Sequence, residues 1–306
     1  MHLGGRNVTL QNQPKLTLRV AGEGATREVD LNGTYVSEQI YAQTIKLAAP
    51  ICPYPVMFWH GGAMTGVTWE STPDGRPGWQ WQFLKSGFNV ITSDAVERGR
   101  SSWSPFPQIY KEAPIFRTQE ETWHMFRFGT QEQFSQKKAY KNQRFPLNYF
   151  DNLCAQLVPR WTNHDQMTLT AYQQLLQQSG PVIIVAHSQG GWLASNLVHQ
   201  LPHLIKAVIL IEPAGAMKLQ TEQYAQAAKV PHLVLWGDYI DEIPMWKKYR
   251  KPVDIYMKTL QEHGGVTNTI DLPSMGIRGN SHVPMMDNNS DELASMLTTW
   301  IKSLKL

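Results

Sequence analysis

The chain is poor in cysteine. It carries two, Cys52 and Cys154, in 306 residues. That is too few for a disulfide framework, and either one bridge or two separate thiols fits. Charge is sparse as well: 17% Asp, Glu, Lys and Arg, with a net charge of +3. No basic run is present, so a nucleic-acid partner is not expected. No apolar stretch reaches the roughly 18 residues of a membrane-spanning helix. Met1 to Val20 lacks the long apolar core of an export signal. The expectation is a cytoplasmic protein, or an exported one whose signal has been removed. The sequence also has no P-loop, no glycine fingerprint for a dinucleotide and no spaced set of metal ligands. No metal and no cofactor are expected.

Hydrophobic residues make up 42% of the chain, enough for a large core in a single domain spanning 1–306. Short apolar, β-branched runs recur at Pro55–His60, Phe88–Asp94, Val182–His187, Ala207–Glu212 and His232–Gly237, with a weaker one at Thr267–Leu272. Leu16–Val20 and Glu28–Tyr41 read as an N-terminal hairpin turning through Ala21–Thr26. Helical patterns fall at Trp79–Ser86, Trp192–Gln200 and Asp291–Lys305. This alternation predicts an α/β fold: a mostly parallel central sheet with helices on both faces. In such sheets the site lies at the strands' carboxyl ends. His60, Asp94, Ser188, Glu212 and Asp238 all fall there. Residues 104–172 break the rhythm. They are rich in aromatics and lack a clear strand, and read as a helical cap inserted before the strand at 182–187, together with the helix that precedes that strand. Its aromatics make a small core of their own, or line an apolar pocket.

Val182-Ile183-Ile184-Val185-Ala186-His187-Ser188-Gln189-Gly190-Gly191 carries the strongest chemical signal. An apolar strand runs into a serine flanked by small residues, and a helical pattern follows. This is the form of a nucleophile elbow, with Ala186 in place of the usual first glycine. A serine hydroxyl needs an adjacent base, usually a histidine oriented by a carboxylate. His282, in Gly279-Asn280-Ser281-His282, lies after the last strand and before the final helix, where that base belongs. His263 reads as a helix C-cap. His199 and His203 do not form a zinc motif. For the acid, Glu212 at a strand end before Pro213 is costly to bury without a partner. Asp238 and Asp241, after the next strand, hold the commoner position. Spacing alone leaves the two choices open.

His60-Gly61-Gly62-Ala63 follows a strand and has the form of an oxyanion-hole loop. Ala63 and Gln189 are the expected N–H donors, with Gly62 the alternative to Ala63; His60 reads as structural. The Asp94 to Ser101 turn reads as scaffold, with Arg98 or Arg100 as lesser candidates for meeting a substrate carboxylate.

These residues resemble an α/β-hydrolase, and more narrowly the bacterial carboxylic esterases of the Alcaligenes type. The resemblance rests on His60-Gly61-Gly62-Ala63-Met64-Thr65-Gly66, Thr68-Trp69-Glu70-Ser71-Thr72-Pro73-Asp74-Gly75-Arg76, Gly78-Trp79, Gly99-Arg100-Ser101, His187-Ser188-Gln189-Gly190, Glu212-Pro213 and Gly279-Asn280-Ser281-His282, with Gly4-Gly5-Arg6 at the start. It spans nearly the whole chain and is weakest in the cap. It implies Glu212 as the triad acid, Ala63 and Gln189 as oxyanion donors, and a homodimer; export of some relatives is consistent with a removed signal. The expected function is a serine carboxylic-ester hydrolase acting through an acyl-enzyme on a small, largely apolar ester. A lactonase or lyase with the same triad, or a catalytically silent ligand-binding protein, are the rival readings. A dehalogenase or epoxide hydrolase would need an Asp at position 188.

Overall fold

The computed structural model describes residues 1–20, 22 and 24–306. Its strands are β1 (His2–Leu10), β2 (Leu16–Arg19), β3 (Thr26–Val29), β4 (Gly33–Ile45), β5 (Val56–Trp59), β6 (Val90–Asp94), β7 (Val182–His187), β8 (Ile205–Ile211), β9 (His232–Trp236) and β10 (Thr267–Asp271). Its helices are α1 (Val67–Glu70), α2 (Trp79–Lys85), α3 (Gln119–Met125), α4 (Phe150–Ala155), α5 (Asp165–Ser179), α6 (Gln189–Leu197), α7 (Thr221–Ala227), α8 (Pro244–Glu262) and α9 (Ser290–Ser303). Among the described residues eight strands form one sheet, in the order β1-β4-β6-β5-β7-β8-β9-β10. β1 runs antiparallel to β4, and β4 antiparallel to β6; from β6 to β10 all neighbours are parallel.

The middle of the sheet, β5 to β9, is buried on both faces, and the pleat sorts its side chains. From β7, Val182, Ile184 and Ala186 join one apolar cluster, which also holds Tyr172, Leu175, Leu197 and Tyr256 from α5, α6 and α8. Ile183 and Val185 point the other way, into a cluster with Trp79, Phe83, Leu293 and Leu297 from α2 and α9. Every residue of β7 is buried, which is why its sequence is a continuous apolar run rather than an alternation. Each such Val or Ile contributes roughly 1.5–3 kcal/mol of transfer free energy.

The N-terminus differs from the sequence reading. Leu16–Arg19 pairs with Thr26–Val29 in a separate two-stranded sheet, and of the expected turn Ala21–Thr26, Ala21 and Glu23 lie outside the described residues. The long strand Gly33–Ile45 pairs instead with His2–Leu10. That edge strand has no apolar alternation, because five of its nine residues are exposed. α6 starts at Gln189, directly after the elbow, rather than at Trp192. Of α8, a 19-residue helix with Pro252 inside it, the sequence reading marked only the end, where His263 is the C-cap as expected; Pro244 at its start supplies the preset φ favoured there. Between β6 and β7 the chain forms only short elements until α5, which runs unbroken from Asp165 to Ser179 and packs on β1 and β4. The expected insertion ended at residue 172, inside this helix. Cys52 and Cys154 are both free thiols.

Candidate active site

Ser188 sits in the turn between β7 and α6 with φ +52° and ψ −114°, a conformation that a non-glycine residue holds only under strain. The neighbours explain the small residues. A Cβ on Gly190 would lie 2.8 Å from the carbonyl oxygens of His60 and Trp59, and one on Gly191 would lie 2.8 Å from Pro213 Cβ. The Ser188 N–H donates to Ile211 O at 3.0 Å, tying the elbow to the end of β8.

His282 Nε2 lies 3.1 Å from Ser188 Oγ. On the other side of the ring, His282 Nδ1 lies 3.4 Å from Glu212 Oε2. The structure therefore brings together Ser188, His282 and Glu212, from the ends of β7 and β8 and the loop after β10. It does not bring the aspartates to the histidine. The Asp241 side chain is 89% exposed and pairs with Lys247. Asp238 accepts from the N–H groups of Tyr239 and Gly279, at 2.9 Å each.

Glu212 has a second partner that the sequence did not reveal. Arg127 Nη2 donates to Glu212 Oε1 at 2.5 Å, and both side chains are fully buried. The Gly237 N–H donates to the same oxygen. Arg127 Nε donates to Asp238 O at 2.7 Å. His282 is also held through its backbone: its N–H donates to Phe126 O at 3.0 Å, and His187 Nε2 donates to its carbonyl at 2.8 Å. The Trp246 ring lies 4.0 Å from the His282 ring, centroid to centroid. Asp287 anchors the loop just before the histidine, accepting from Ser281 N–H at 2.8 Å and Ser281 Oγ at 2.7 Å. Arg127, Trp246 and Asp287 belong to no short motif. Only His187, a buried polar residue next to the serine, stood in a position that sequence could mark.

Burial pushes the His282 imidazole well below its ordinary value of 6.5, and the Arg127 and Arg117 guanidinium groups add to the effect. The His282 ring is therefore neutral at neutral pH and able to accept a proton.

The loop after β5 runs beside the serine. A Cβ on Gly61 would lie 2.7 Å from His187 Nδ1 and 3.0 Å from Ser188 Cβ, so only a glycine lets this backbone pass. Ala63 is buried with φ +60°. Among the described residues neither the Ala63 N–H nor the Gln189 N–H has an acceptor within the protein. Gly62 and Gln189 line the cavity in front of Ser188. His60 is locked as a neutral ring: Nδ1 donates to Gly61 O at 2.9 Å and Nε2 accepts from Ala95 N–H at 3.0 Å. Burial lowers its pKa to about 4.

The cavity has a volume of about 110 Å3. Met64, Met125, Phe126 and Trp246 give it apolar walls, but Arg117 and Arg160 face it too. The expected pocket was largely apolar; the observed one is mixed. Arg98 and Arg100 do not reach it. Arg98 is buried beside Glu97, and Arg100 pairs with Asp94 at 2.6 Å and Glu70 at 2.7 Å, bracing the turn after β6.

Residues 54–235, more than half of the chain, match the family model described as alpha/beta hydrolase fold. A probable secreted lipase from a fungal species (strain ATCC 74256) is 26% identical, covering 93% of this chain and 91% of its own length. A solved bacterial esterase is 29% identical with a TM-score of 0.85, covering 100% of this chain and 95% of that one. A predicted CIB-like hydrolase from Thermoplasma acidophilum shares the fold at 12% identity and a TM-score of 0.50, over 87% of this chain and 93% of its own. On the family match and on the sheet order and elbow that accompany it, the chain belongs to the α/β-hydrolase fold family.

Proposed function

We propose that the protein is a serine carboxylic-ester hydrolase acting on small esters through an acyl-enzyme. The observation that carries this reading is the continuous line from Ser188 Oγ through the His282 ring to Glu212 Oε2, with steps of 3.1 and 3.4 Å. Likeness to a bacterial esterase and to a probable secreted lipase supports the ester as substrate class.

In this mechanism Ser188 Oγ attacks the ester carbonyl carbon as His282 Nε2 takes its proton. The carbonyl electron pair moves onto oxygen, which the N–H groups of Gln189 and Ala63 (or Gly62) stabilise. Loss of one such donor typically costs roughly 10²–10³ in turnover. Collapse breaks the bond to the alcohol oxygen, which leaves with the proton from His282. Water then attacks the acyl-enzyme, giving its proton to His282; the acid departs and Ser188 Oγ is reprotonated. Glu212 keeps the proton-bearing Nδ1 oriented and offsets the imidazolium charge. Residues 104–164 act as a cap: Phe126 O and Arg127 reach from this stretch to His282 and Glu212.

A panel of 4-nitrophenyl and alkyl esters of increasing acyl length tests the reading. Turnover by the wild type that vanishes in Ser188→Ala supports it; turnover retained in that variant, or absent in a folded wild type, overturns it.

A further inference from the structure

Two arginines stand in the wall of the Ser188 cavity with too little negative charge to match them. Arg160 lies against the oxyanion loop: its Nη1 is 2.5 Å from where a Cβ on Gly62 would sit. Among the described residues no carboxylate pairs with its guanidinium, and its Nε is buried without a hydrogen-bond partner. Arg117 faces the same cavity. Its Nη1 donates to Glu121 at 2.8 Å, but Glu121 is 47% exposed, and the Arg117 Nε is buried and unpartnered. Burial lowers the pKa of Arg117, and the charge of Arg160 lowers it further, so the two cations feel one another. Nearby carboxylates are engaged elsewhere. Glu97 is taken by His164 and the Trp161 N–H, and Asp165 accepts from the Gln189 side chain.

The arginines are not on a free loop. Ile115 and Arg160 exchange two backbone hydrogen bonds of 2.8 and 3.0 Å, and the Val158 N–H donates to Ala63 O at 2.9 Å. Arg117 and Arg160 are thereby carried on backbone fastened to the loop beside the nucleophile. A half-buried guanidinium without a counter-charge is costly, and an anionic ligand group removes that cost. Its planar fork of donors fits a carboxylate, and the cavity is small enough to demand a small group.

We propose, building on the ester hydrolysis argued above, that the cavity selects esters bearing an ionised carboxylate close to the scissile bond, bound by Arg160 with Arg117. The carboxylate can sit on the acyl or the alcohol side, and matched pairs of substrates separate the two. On the acyl side, monoethyl succinate is compared with its neutral isostere ethyl levulinate. On the alcohol side, acetoxyacetate is compared with acetoxyacetone.

The quantity read is the ratio of kcat/KM for the anionic over the neutral ester. In at least one pair the wild type should favour the anion, and Arg160→Gln should lower the ratio on the order of 10- to 100-fold, as expected for one lost charge-assisted contact. Arg160→Lys, which keeps the charge, should restore part of it. A ratio unmoved by Arg160→Gln in both pairs overturns the proposal. So does an equal loss on both esters, which would mean that Arg160 serves the oxyanion or the fold. A second arm needs no turnover: titration calorimetry on Ser188→Ala should show tighter binding of one anionic ester than of its isostere, and loss of that margin when Arg160→Gln is added. If the wild type hydrolyses none of the four while this margin persists, ester hydrolysis is wrong and the anion subsite stands; with no margin for either pair, the subsite itself is wrong.

Discussion

Arg127 and Glu212 form a fully buried ion pair directly behind His282, with Nη2 and Oε1 2.5 Å apart. The acid that faces the histidine is therefore fixed by a cation from the stretch before β7, which the chain order of Ser188, Glu212 and His282 does not include. One Glu212 oxygen serves Arg127 and the Gly237 N–H; the other is left for His282.

Removing this cation should be severe. Arg127→Met leaves Glu212 buried and uncompensated, and breaking one side of such a pair typically costs about 3–5 kcal/mol. Urea unfolding should show a loss of this size, with an unchanged slope. A loss under 1 kcal/mol would mean that the pair does not carry the charge balance described.

The choice of acid is open to a direct comparison. Glu212→Gln should lower kcat by orders of magnitude, up to ~10⁴ as for other triad acids. Asp241→Asn, at an exposed position paired with Lys247, should change kcat less than about twofold, the scale of a surface charge. Steady-state kinetics on one ester suffices. The reverse ranking would move the acid to the loop after β9.

The pH profile should carry the mark of the buried base. In the proposed mechanism only neutral His282 accepts the Ser188 proton, so activity should fall as pH drops through its pKa. Burial first, then Arg127 and Arg117, hold that pKa well below 6.5. The acid limb of kcat/KM should therefore have its midpoint below 6.5, with a plateau through pH 7. Arg117→Gln, which removes one of the depressing charges, should shift the limb upward. A wild-type midpoint at or above 7 would contradict the electrostatics described here.

How far the sequence reaches is clear from particular residues. The parallel half of the sheet was legible because β5 to β9 are buried almost throughout, and each carries a short, largely apolar core such as Val56–Trp59 or Val182–Ala186. β1 was not, because an edge strand with exposed side chains carries no such run. The pairing of Gly33–Ile45 followed from that omission. All of α8 except its His263 end was hidden by its charged face and by Pro252, which reads as a break but lies inside a continuous helix. At the site, Ser188, Glu212 and His282 each end a strand or follow one, and strand ends are visible in sequence. Arg127, Arg117 and Arg160 lie in the irregular stretch before α5. Their roles depend on how it folds back over β7 and β8, and no local pattern encodes that.

The central claim is that Ser188 is an activated nucleophile. Intact mass after treatment with a fluorophosphonate, wild type beside Ser188→Ala, tests it most directly. The account predicts one adduct on the wild type and none on the variant. An unmodified but folded wild type, or an adduct that persists in Ser188→Ala, would contradict it.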